Sequence, residues 1–381
     1  MGEKMNSKEL DSLYYMQAFG RDLKIVKGKG CYVWDDSGKK YLDCVAGIAV
    51  CVTGHCNPAV TEAICKQAKE LIHISNLFYV PNQAELAERL VKISGIKGGR
   101  VFFSNSGAEA NEGAIKLARI RTGRKKFVAF KDCFHGRTCA SLALTYKPAI
   151  REPFEPLEPK CTFIEYGDLD ALEKAVDDDT AGVILEGVLG EAGVVPAPEG
   201  FLEGVRKICD EKGALMICDE VQTGMGRTGE WFYYQNTGAT PDIVSMAKGI
   251  ASGLPMGAII AREGLSFNRS EHGSTFAGGP IVCAAALATL DIVEGVIPSI
   301  PEKAERFRDG LAEFSPRVCG LMIGITLGEE KCAEVAAKCR EAGVLVNCAG
   351  HGNLRLVPPL VISDDEIDEA VRVISDAIKS S

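Results

Sequence analysis

The chain has 381 residues, of which 46% are hydrophobic and 25% are charged, and its net charge at pH 7 is -9. This composition is that of a globular protein, and the length predicts two domains. The acidic balance, without a Lys/Arg-rich block, disfavours nucleic acids and anionic membranes as partners. We also expect no membrane span, because glycine, proline or charge interrupts every apolar run.

The N-terminal residues and the cysteines predict a cytoplasmic protein without a metal site. Residues 1–8 lack the apolar core of a secretory signal. The 15 cysteines include no Cys-x-x-Cys pair, which disfavours zinc and iron–sulfur sites. Their odd number fits a reducing compartment better than a disulfide framework. Cys218, Cys283 and Cys348 lie in apolar runs, where we expect them to pack as small hydrophobic side chains.

The first third of the chain predicts a hairpin followed by two helices. The hairpin covers residues 31–43, with a turn at residues 36–38. The first helix is predicted at residues 59–72, after a proline in the position that tolerates it. The second is predicted at residues 82–93.

Strands and helices then alternate, which predicts a mostly parallel, doubly wound sheet. A further helix is expected to begin at Ser106, a fit N-cap, and to stop at Gly123. Two more are expected at residues 169–176 and 200–212. The expected strands are residues 101–103, 127–130, 161–165, 182–186, 214–218, 242–247 and 258–260.

The C-terminal part predicts a small α+β domain. Its expected elements are an apolar helix at 280–293, helices at 304–314 and 331–342 around a strand at 318–327, a strand pair at 343–347 and 354–356, and a last helix capped by Ser363 and Glu366. We therefore divide the chain into residues 1–56, which pack with the small domain, a large domain at 57–279, and a connecting helix and small domain at 280–381.

Two strand ends and one helix start carry residues suited to a binding site. Asp219 and Gln222 follow one predicted strand and Lys248 follows another, at the edge where open α/β sheets bind ligands. Gly107 and Ala108 open a helix directly after a strand, which favours phosphate binding. Each feature alone is better explained by ordinary surface or capping residues.

The segment Phe134-His-Gly-Arg-Thr138 adds a ring that can stack and an arginine fork that fits a carboxylate. His135 has no evident partner there, so we expect a packed histidine. A desolvated lysine such as Lys248 can form a Schiff base, and an acid such as Asp219 can keep a pyridine nitrogen protonated. Together these groups meet the requirements of pyridoxal phosphate.

The sequence resembles the class III aminotransferases of fold type I, and within them the acetylornithine aminotransferase group, over almost its whole length. The motifs that carry the resemblance are Tyr41-Leu-Asp43, Ala46-Gly-Ile-Ala49, Ser75-Asn-Leu-Phe-Tyr79, Asn105-Ser-Gly-Ala-Glu-Ala-Asn-Glu112, Phe134-His-Gly-Arg-Thr138, Asp219-Glu-Val-Gln-Thr-Gly-Met-Gly-Arg-Thr-Gly229, Ala247-Lys-Gly249, His272-Gly-Ser-Thr-Phe276 and Leu354-Arg-Leu-Val-Pro-Pro359.

The resemblance implies an α/β fold in which a large domain is joined by a small α+β domain built from both chain ends. It implies pyridoxal 5'-phosphate as cofactor, with Lys248 and Asp219 as catalytic residues. The implied cofactor-binding residues are Gly107, Ala108, Phe134, Asp219, Glu220, Val221, Gln222, Lys248 and Thr275. Thr275 would close the site of a neighbouring subunit, so a homodimer is the smallest active unit.

The implied substrates are acetylornithine and 2-oxoglutarate, which would be converted to N-acetylglutamate 5-semialdehyde and glutamate in arginine biosynthesis. Arg137 would bind the substrate carboxylate, and Ser274 would lie beside the substrate. Glu191 would cover Arg355 while the amine donor binds and would free it for 2-oxoglutarate. Two arginines, one of them maskable, suit a site whose substrates carry carboxylates at different distances from the reacting carbon.

The chain departs from the family at two runs. In the first, Gly187, Leu189 and Ala192 replace the usual proline, glutamine and glycine, and in the second Ala277-Gly-Gly-Pro280 replaces the usual Gly-Gly-Asn-Pro. The alternatives are another ω-amine donor (ornithine, succinyldiaminopimelate, 4-aminobutyrate or a lysine-pathway substrate) or an aminomutase that works without 2-oxoglutarate. A dinucleotide-dependent oxidoreductase is disfavoured, because no Gly-x-Gly-x-x-Gly follows an early strand.

Overall fold

The computed structural model describes residues 6–381. Its N-terminal elements are α1 (Ser7–Tyr14), β1 (Ile25–Lys29), β2 (Tyr32–Asp35) and β3 (Lys40–Asp43), the three strands forming an antiparallel meander. The hairpin predicted at residues 31–43 is confirmed. Its turn is held by Asp35, whose carboxylate accepts hydrogen bonds from the backbone N–H groups of Ser37 and Lys39.

The middle of the chain forms a seven-stranded sheet and a two-stranded hairpin. The strands are β4 (Arg100–Ser104), β5 (Lys126–Phe130), β6 (Cys161–Ile164), β7 (Thr180–Leu185), β8 (Val188–Leu189), β9 (Val195–Pro196), β10 (Leu215–Asp219), β11 (Ile243–Met246) and β12 (Gly257–Ala261). Strands β8 and β9 form the hairpin, and the others lie in the order β4-β12-β11-β10-β7-β5-β6. Within this sheet only β12 is antiparallel to its neighbours, so the mostly parallel sheet is confirmed.

The helices between residues 46 and 296 are α2 (Ala46–Ala49, a short irregular turn), α3 (Pro58–Glu70), α4 (Pro81–Ser94), α5 (Gly107–Thr122), α6 (Cys139–Ala143), α7 (Pro148–Arg151), α8 (Leu169–Ala175), α9 (Phe201–Lys212) and α10 (Pro280–Val296). Of these, α4, α5, α8 and α9 pack on strands of the sheet. Successive residues of β7 enter different cores: Val183 packs in the cluster that contains Phe201, and Ile184 in the cluster that contains Ile115. The sheet is therefore doubly wound.

Helix α10 continues through a short 3-10 turn into α11 (Ile300–Gly310). The combined helix has 31 residues and a mean hydropathy of 1.9 in its most apolar window, which corrects the expectation that no apolar run reaches the length of a membrane span. Length and composition alone do not distinguish a spanning helix from a core helix. Cys283, Ala286 and Leu290 are buried, and α10 packs against α3 and α4.

The C-terminal elements correct two predicted strands. They are β13 (Arg317–Cys319), β14 (Met322–Thr326), α12 (Glu329–Glu341), β15 (Val344–Leu345), β16 (Asn347–Ala349), β17 (Asn353–Leu356) and α13 (Asp364–Lys379). The single strand expected at 318–327 is a hairpin, because Gly320 turns the chain with a φ of 55°. The pair expected from 343–347 and 354–356 is wrong in part: β15 pairs with β3, and β16 pairs with β17.

A disulfide joins Cys332 of α12 to Cys348 of β16 across a Cα separation of 6.0 Å. It corrects the expectation of reduced cysteines and of a buried, hydrophobic Cys348. Cys348 is exposed instead, because β16 lies at the edge of the sheet β13-β14-β17-β16. Cys218 and Cys283 are buried and free, as expected.

Candidate functional site

Three adjacent strands of the large sheet deliver polar residues to one cavity of about 400 Å³. Strand β10 ends at Asp219, β11 is followed by Lys248, and β7 is followed by Glu186. These strands lie side by side and parallel, so their carboxyl ends share one edge. The cavity wall also includes Gly107, Ala108, Phe134, Arg137, Glu191, Val221 and Gln222.

The N-terminus of α5 opens into this cavity. Ser106 caps the helix by accepting a hydrogen bond of 3.1 Å from the N–H of Glu109. The first N–H groups, at Gly107 and Ala108, have no partner within the helix and favour an anion. A Cβ atom on Gly107 would lie 2.7 Å from a methyl group of Val221, so only glycine allows the strand-end loop to approach the helix this closely.

Asp219 is buried and is held by three donors. Its Oδ2 accepts hydrogen bonds from Asn111 Nδ2 at 2.7 Å and from His135 Nδ1 at 2.8 Å, and its Oδ1 accepts from the N–H of Val221. His135 is buried, as expected of a packed histidine, and its partner, which the sequence did not reveal, is Asp219. No sequence pattern indicates the contact, because the three side chains belong to separate elements.

The electrostatics of His135 and Lys248 depend on neighbouring carboxylates. Burial alone would lower the pKa of His135, but Cys133 and Asp219 raise it overall. Burial lowers the pKa of Lys248, although Glu191 acts in the opposite direction. Lys248 also has a φ of 45°, a left-handed conformation that costs energy for a residue with a side chain and is common at functional sites.

The buried Arg355 forms an ion pair with the partly exposed Glu191, with Arg355 Nη1 at 2.5 Å from Glu191 Oε1. The same guanidinium nitrogen donates to the carbonyl oxygen of Gly190 at 3.0 Å and to Gln222 Oε1 at 3.3 Å. Burial would raise the pKa of Glu191, but the charge of Arg355 lowers it overall. Arg137, in contrast, is exposed and has no ion-pair partner among residues 6–381.

Four of the predicted site residues lie outside the cavity wall: Arg355, which reaches it through Glu191 and Gln222, and Glu220, Ser274 and Thr275. The carboxylate of Glu220 accepts hydrogen bonds from the N–H groups of Tyr233 and Tyr234. Ser274 Oγ accepts a hydrogen bond of 3.1 Å from Asn105, and Thr275 is exposed. Asn105 itself lines the cavity, so Ser274 is one residue removed from it.

Two of the departures from the family run, Gly187 and Leu189, have local packing reasons. A Cβ atom on Gly187 would lie 2.0 Å from the ring of Tyr233, which leaves no room for the usual proline. Leu189 is buried in a hydrophobic cluster, where a glutamine would lack partners. The glycine at position 190 is retained. It packs against Gln222, and a Cβ atom there would lie 2.3 Å from the side-chain amide oxygen of Gln222.

Sequence analysis missed Glu186, a buried carboxyl group in the cavity wall. Its Oε1 accepts a hydrogen bond of 2.9 Å from the N–H of Phe134. Burial raises the pKa of Glu186 to about 7, above its ordinary value of 4.5. A glutamate directly after a buried strand was the available signal, but such a residue more often serves capping.

The cavity fits pyridoxal phosphate. The open N–H groups of α5 suit a phosphate, the hydrogen-bonded carboxylate of Asp219 suits a pyridinium nitrogen, and the amine of Lys248 lies in the same cavity. Its volume is that of an ordinary small-molecule site. Within residues 6–381, no group of three or more His, Cys, Asp or Glu side chains is arranged to hold a metal ion.

The family and the sequence relatives that this chain matches agree with a pyridoxal phosphate site. The family model for aminotransferase class-III matches residues 15–378. The acetylornithine aminotransferase of Methanosarcina mazei is 51% identical over 96% of this chain and 95% of its own. The acetylornithine aminotransferase of Aquifex aeolicus is 43% identical over 96% of this chain and 100% of its own.

Solved structures agree in fold. N-acetylornithine aminotransferase from Stenotrophomonas maltophilia superposes with a TM-score of 0.83 and 34% identity, covering 98% of both chains. Ornithine aminotransferase from Toxoplasma gondii, described with partial occupancy of PLP at its active site, superposes with a TM-score of 0.93 and 29% identity, over 98% of this chain and 94% of that one.

Proposed function

Because the chain belongs to the class-III aminotransferases, we propose that it transfers the terminal amine of N2-acetylornithine to 2-oxoglutarate, with pyridoxal phosphate held at Lys248. The products are N-acetylglutamate 5-semialdehyde and glutamate, and the step belongs to arginine biosynthesis. The substrate follows the names of the relatives, which are 43–51% identical over almost the full length of this chain.

One observation supports a donor that reacts through its terminal amine and an acceptor that reacts beside its carboxylate: the two arginines of the site differ in pairing. Arg355 is masked by Glu191, whereas Arg137 is exposed at the cavity and free of ion pairs among the described residues. A donor that reacts through its terminal amine carries its carboxylate far from the reacting carbon, where Arg137 can bind it. A keto acid that reacts next to its carboxylate needs a nearer cation, which Arg355 supplies once Glu191 moves away.

Bound pyridoxal phosphate supplies an electron-withdrawing ring and a carbonyl that accepts and returns the amino group. Lys248 binds the cofactor and then moves a proton at the substrate carbon, for which a lowered pKa suits it. Asp219 would hold the ring nitrogen through its negative charge, and Asn111 and His135 fix that carboxylate in place. Phe134 and Gln222 would also hold the ring.

We further propose a cytoplasmic homodimer in which Thr275 completes the phosphate site of the neighbouring subunit. The proposal is supported by an exposed apolar surface around Thr275. Its large hydrophobic side chains, all at least one-third exposed, are Leu71, Ile72, Ile74, Leu77, Phe78, Tyr79 and Phe276. A surface of this kind indicates a protein interface.

The test is a half-reaction. Purified full-length protein loaded with pyridoxal phosphate is mixed with acetylornithine and no keto acid, and the absorption spectrum is followed. We expect conversion to the pyridoxamine phosphate spectrum, and restoration of the first spectrum, with release of glutamate, when 2-oxoglutarate is added. The Lys248→Ala variant should show no turnover, whereas Lys207→Ala, which removes an exposed amine, should match the wild type.

The outcomes separate the alternatives. If the spectrum changes with ornithine, 4-aminobutyrate or succinyldiaminopimelate but not with acetylornithine, the reaction class holds and the substrate is wrong. Multiple turnover of an amine without any keto acid would indicate an aminomutase instead. Full turnover by Lys248→Ala would contradict the whole assignment.

A further inference from the structure

Glu186 lies at the centre of the cavity edge. Strand β7, which it follows, lies between β10, which ends at Asp219, and β5, which leads to Phe134. Its side chain is only 4% exposed, and the mechanism described above does not use it. A buried carboxyl group is costly unless its oxygens are hydrogen-bonded, so its partners indicate what it does.

The partners of Glu186 belong to two different loops. Oε1 accepts from the N–H of Phe134 at 2.9 Å, and Oε2 accepts from the N–H of Gly190 at 3.4 Å. Gly190 in turn offers its carbonyl oxygen to Arg355 at 3.0 Å, next to the ion pair with Glu191. One carboxylate therefore connects the loop of the aromatic ring to the loop of the ion pair.

We propose that Glu186 is a positioning residue, whose carboxylate fixes the separation between the cofactor-stacking ring of Phe134 and the Glu191–Arg355 pair. The inference rests on the proposed function, because the roles of the ring and of the pair belong to it. It adds that the residue that stacks on the cofactor and the ion pair that selects the substrate are both positioned by Glu186. A substrate that moves Glu191 therefore also displaces Gly190, and through its hydrogen bond to Glu186 it changes the position of Phe134.

The chemistry requires a carboxylate at this position. Both neighbours are N–H donors, so two acceptor oxygens are needed, and glutamine supplies only one. Protonation has the same effect, because it places an O–H against an N–H. Burial raises the pKa of Glu186 to about 7, and the ionisable groups that face it include His135, Asp219, Lys248 and Tyr166.

The test compares Glu186→Gln with the wild type by hydrogen exchange, in the full-length chain with pyridoxal phosphate bound and after its removal. Glutamine keeps one acceptor oxygen, so we expect at least one of the two amides, Phe134 or Gly190, to exchange roughly tenfold faster in the variant, the effect of one lost charge-assisted hydrogen bond. Cofactor affinity, measured by equilibrium dialysis, should fall by a similar factor. Lowering the pH from about 8 to about 6 should raise the exchange rate of at least one of these amides in the wild type, after correction for intrinsic exchange, but not in the variant.

Tyr166→Phe is the matched control. The Tyr166 hydroxyl donates to the backbone oxygen of Glu186 at 2.7 Å, so this variant disturbs the same residue without touching its carboxylate. Its exchange at Phe134 and Gly190 should equal that of the wild type. If Glu186→Gln does not fold, Glu186→Asp keeps the charge but is too short to reach both loops, and one of the two amides should lose protection.

Unchanged exchange at both amides in Glu186→Gln would overturn the proposal, and so would a uniform increase that includes residues 215–219 of β10. The half-reaction of the wild-type protein with acetylornithine tests the proposed function separately. If the wild type shows no half-reaction with acetylornithine while Glu186→Gln still raises the exchange rate at Phe134 or Gly190, the positioning role of Glu186 holds and the proposed substrate is wrong.

Discussion

His135 donates a hydrogen bond of 2.8 Å to the carboxylate of Asp219, and both side chains are buried. Asn111 donates to the same oxygen at 2.7 Å, so two N–H groups stabilise one buried negative charge. The position of the Asp219 carboxylate is therefore fixed by two side chains that lie far from it in the sequence.

Replacing His135 with alanine should weaken pyridoxal phosphate binding roughly tenfold, because Asp219 loses one of its charge-assisted hydrogen bonds. His135→Asn should retain most of the affinity, since an amide N–H can replace Nδ1. Equilibrium dialysis measures both. Equal affinities in the wild type and His135→Ala would show that the contact contributes nothing to binding.

Replacing Glu191 with glutamine should favour the keto acid over the amine donor. Arg355 then loses its paired charge but keeps an amide acceptor, so it is easier to free for a carboxylate. We expect the KM for 2-oxoglutarate to fall and kcat/KM for acetylornithine to fall, each by roughly tenfold. Glu329→Gln removes an exposed charge in the neighbouring cleft and should change neither constant. If Glu191→Gln changes neither the KM for 2-oxoglutarate nor kcat/KM for acetylornithine, Glu191 does not mask Arg355.

The contact between Gly187 and Tyr233 can be tested with a double-mutant cycle. Gly187→Ala should lower the free energy of unfolding by about 2 kcal/mol, because its new methyl group meets the Tyr233 ring. Tyr233→Ala should also destabilise the protein, but combined with Gly187→Ala it should cost less than the sum of the two. Urea unfolding gives the three values. Strict additivity would rule out steric coupling.

Glu220 should make the protein less stable as the pH rises. Burial raises its pKa from the ordinary value of 4.5 to about 7, so between these values the folded state holds a proton that the unfolded state has lost. The contribution is most favourable below 4.5 and decreases until the pH passes about 7, by roughly 3 kcal/mol in all. Glu220→Gln should lack this decrease. Parallel pH profiles of unfolding free energy in the two proteins would contradict the expectation.

Breaking the disulfide between Cys332 and Cys348 should lower the free energy of unfolding by about 3 kcal/mol, the loop-closure effect for a short loop. The double variant with serine at both positions should lose this amount. A dithiol reductant should lower the stability of the wild type to the same level and leave the double variant unchanged. A wild type that does not respond to reductant, and shows free thiols by mass spectrometry, would contradict the bond.

The sequence was sufficient to predict the residues that meet at the sheet edge. Asp219 and Lys248 follow strands whose parallel arrangement the alternating pattern indicates, and parallel strands bring their carboxyl ends together. Gly107 was predictable for the same reason, since it opens the helix after another strand of the sheet. These are consequences of local pattern and topology.

Contacts between separate elements were not predictable. The partner of His135 and the anchoring role of Glu186 depend on which loops approach each other, and a single sequence does not encode that in any periodicity. The hairpin at Gly320 was hidden within an apolar run. The partner of β15 was mistaken because pairing was sought along the chain rather than with β3, far away in the sequence.

Because β15 pairs with β3, the N-terminal sheet can be completed only late in synthesis of the chain. Strand β3 leaves the ribosome early, but its neighbour β15 follows only after the whole seven-stranded sheet has been made. The nascent chain therefore carries an open strand edge for most of its synthesis, which is a site for wrong pairing or for a chaperone. All strands of the large sheet precede residue 262, so this sheet can assemble while the edge of β3 is still unpaired.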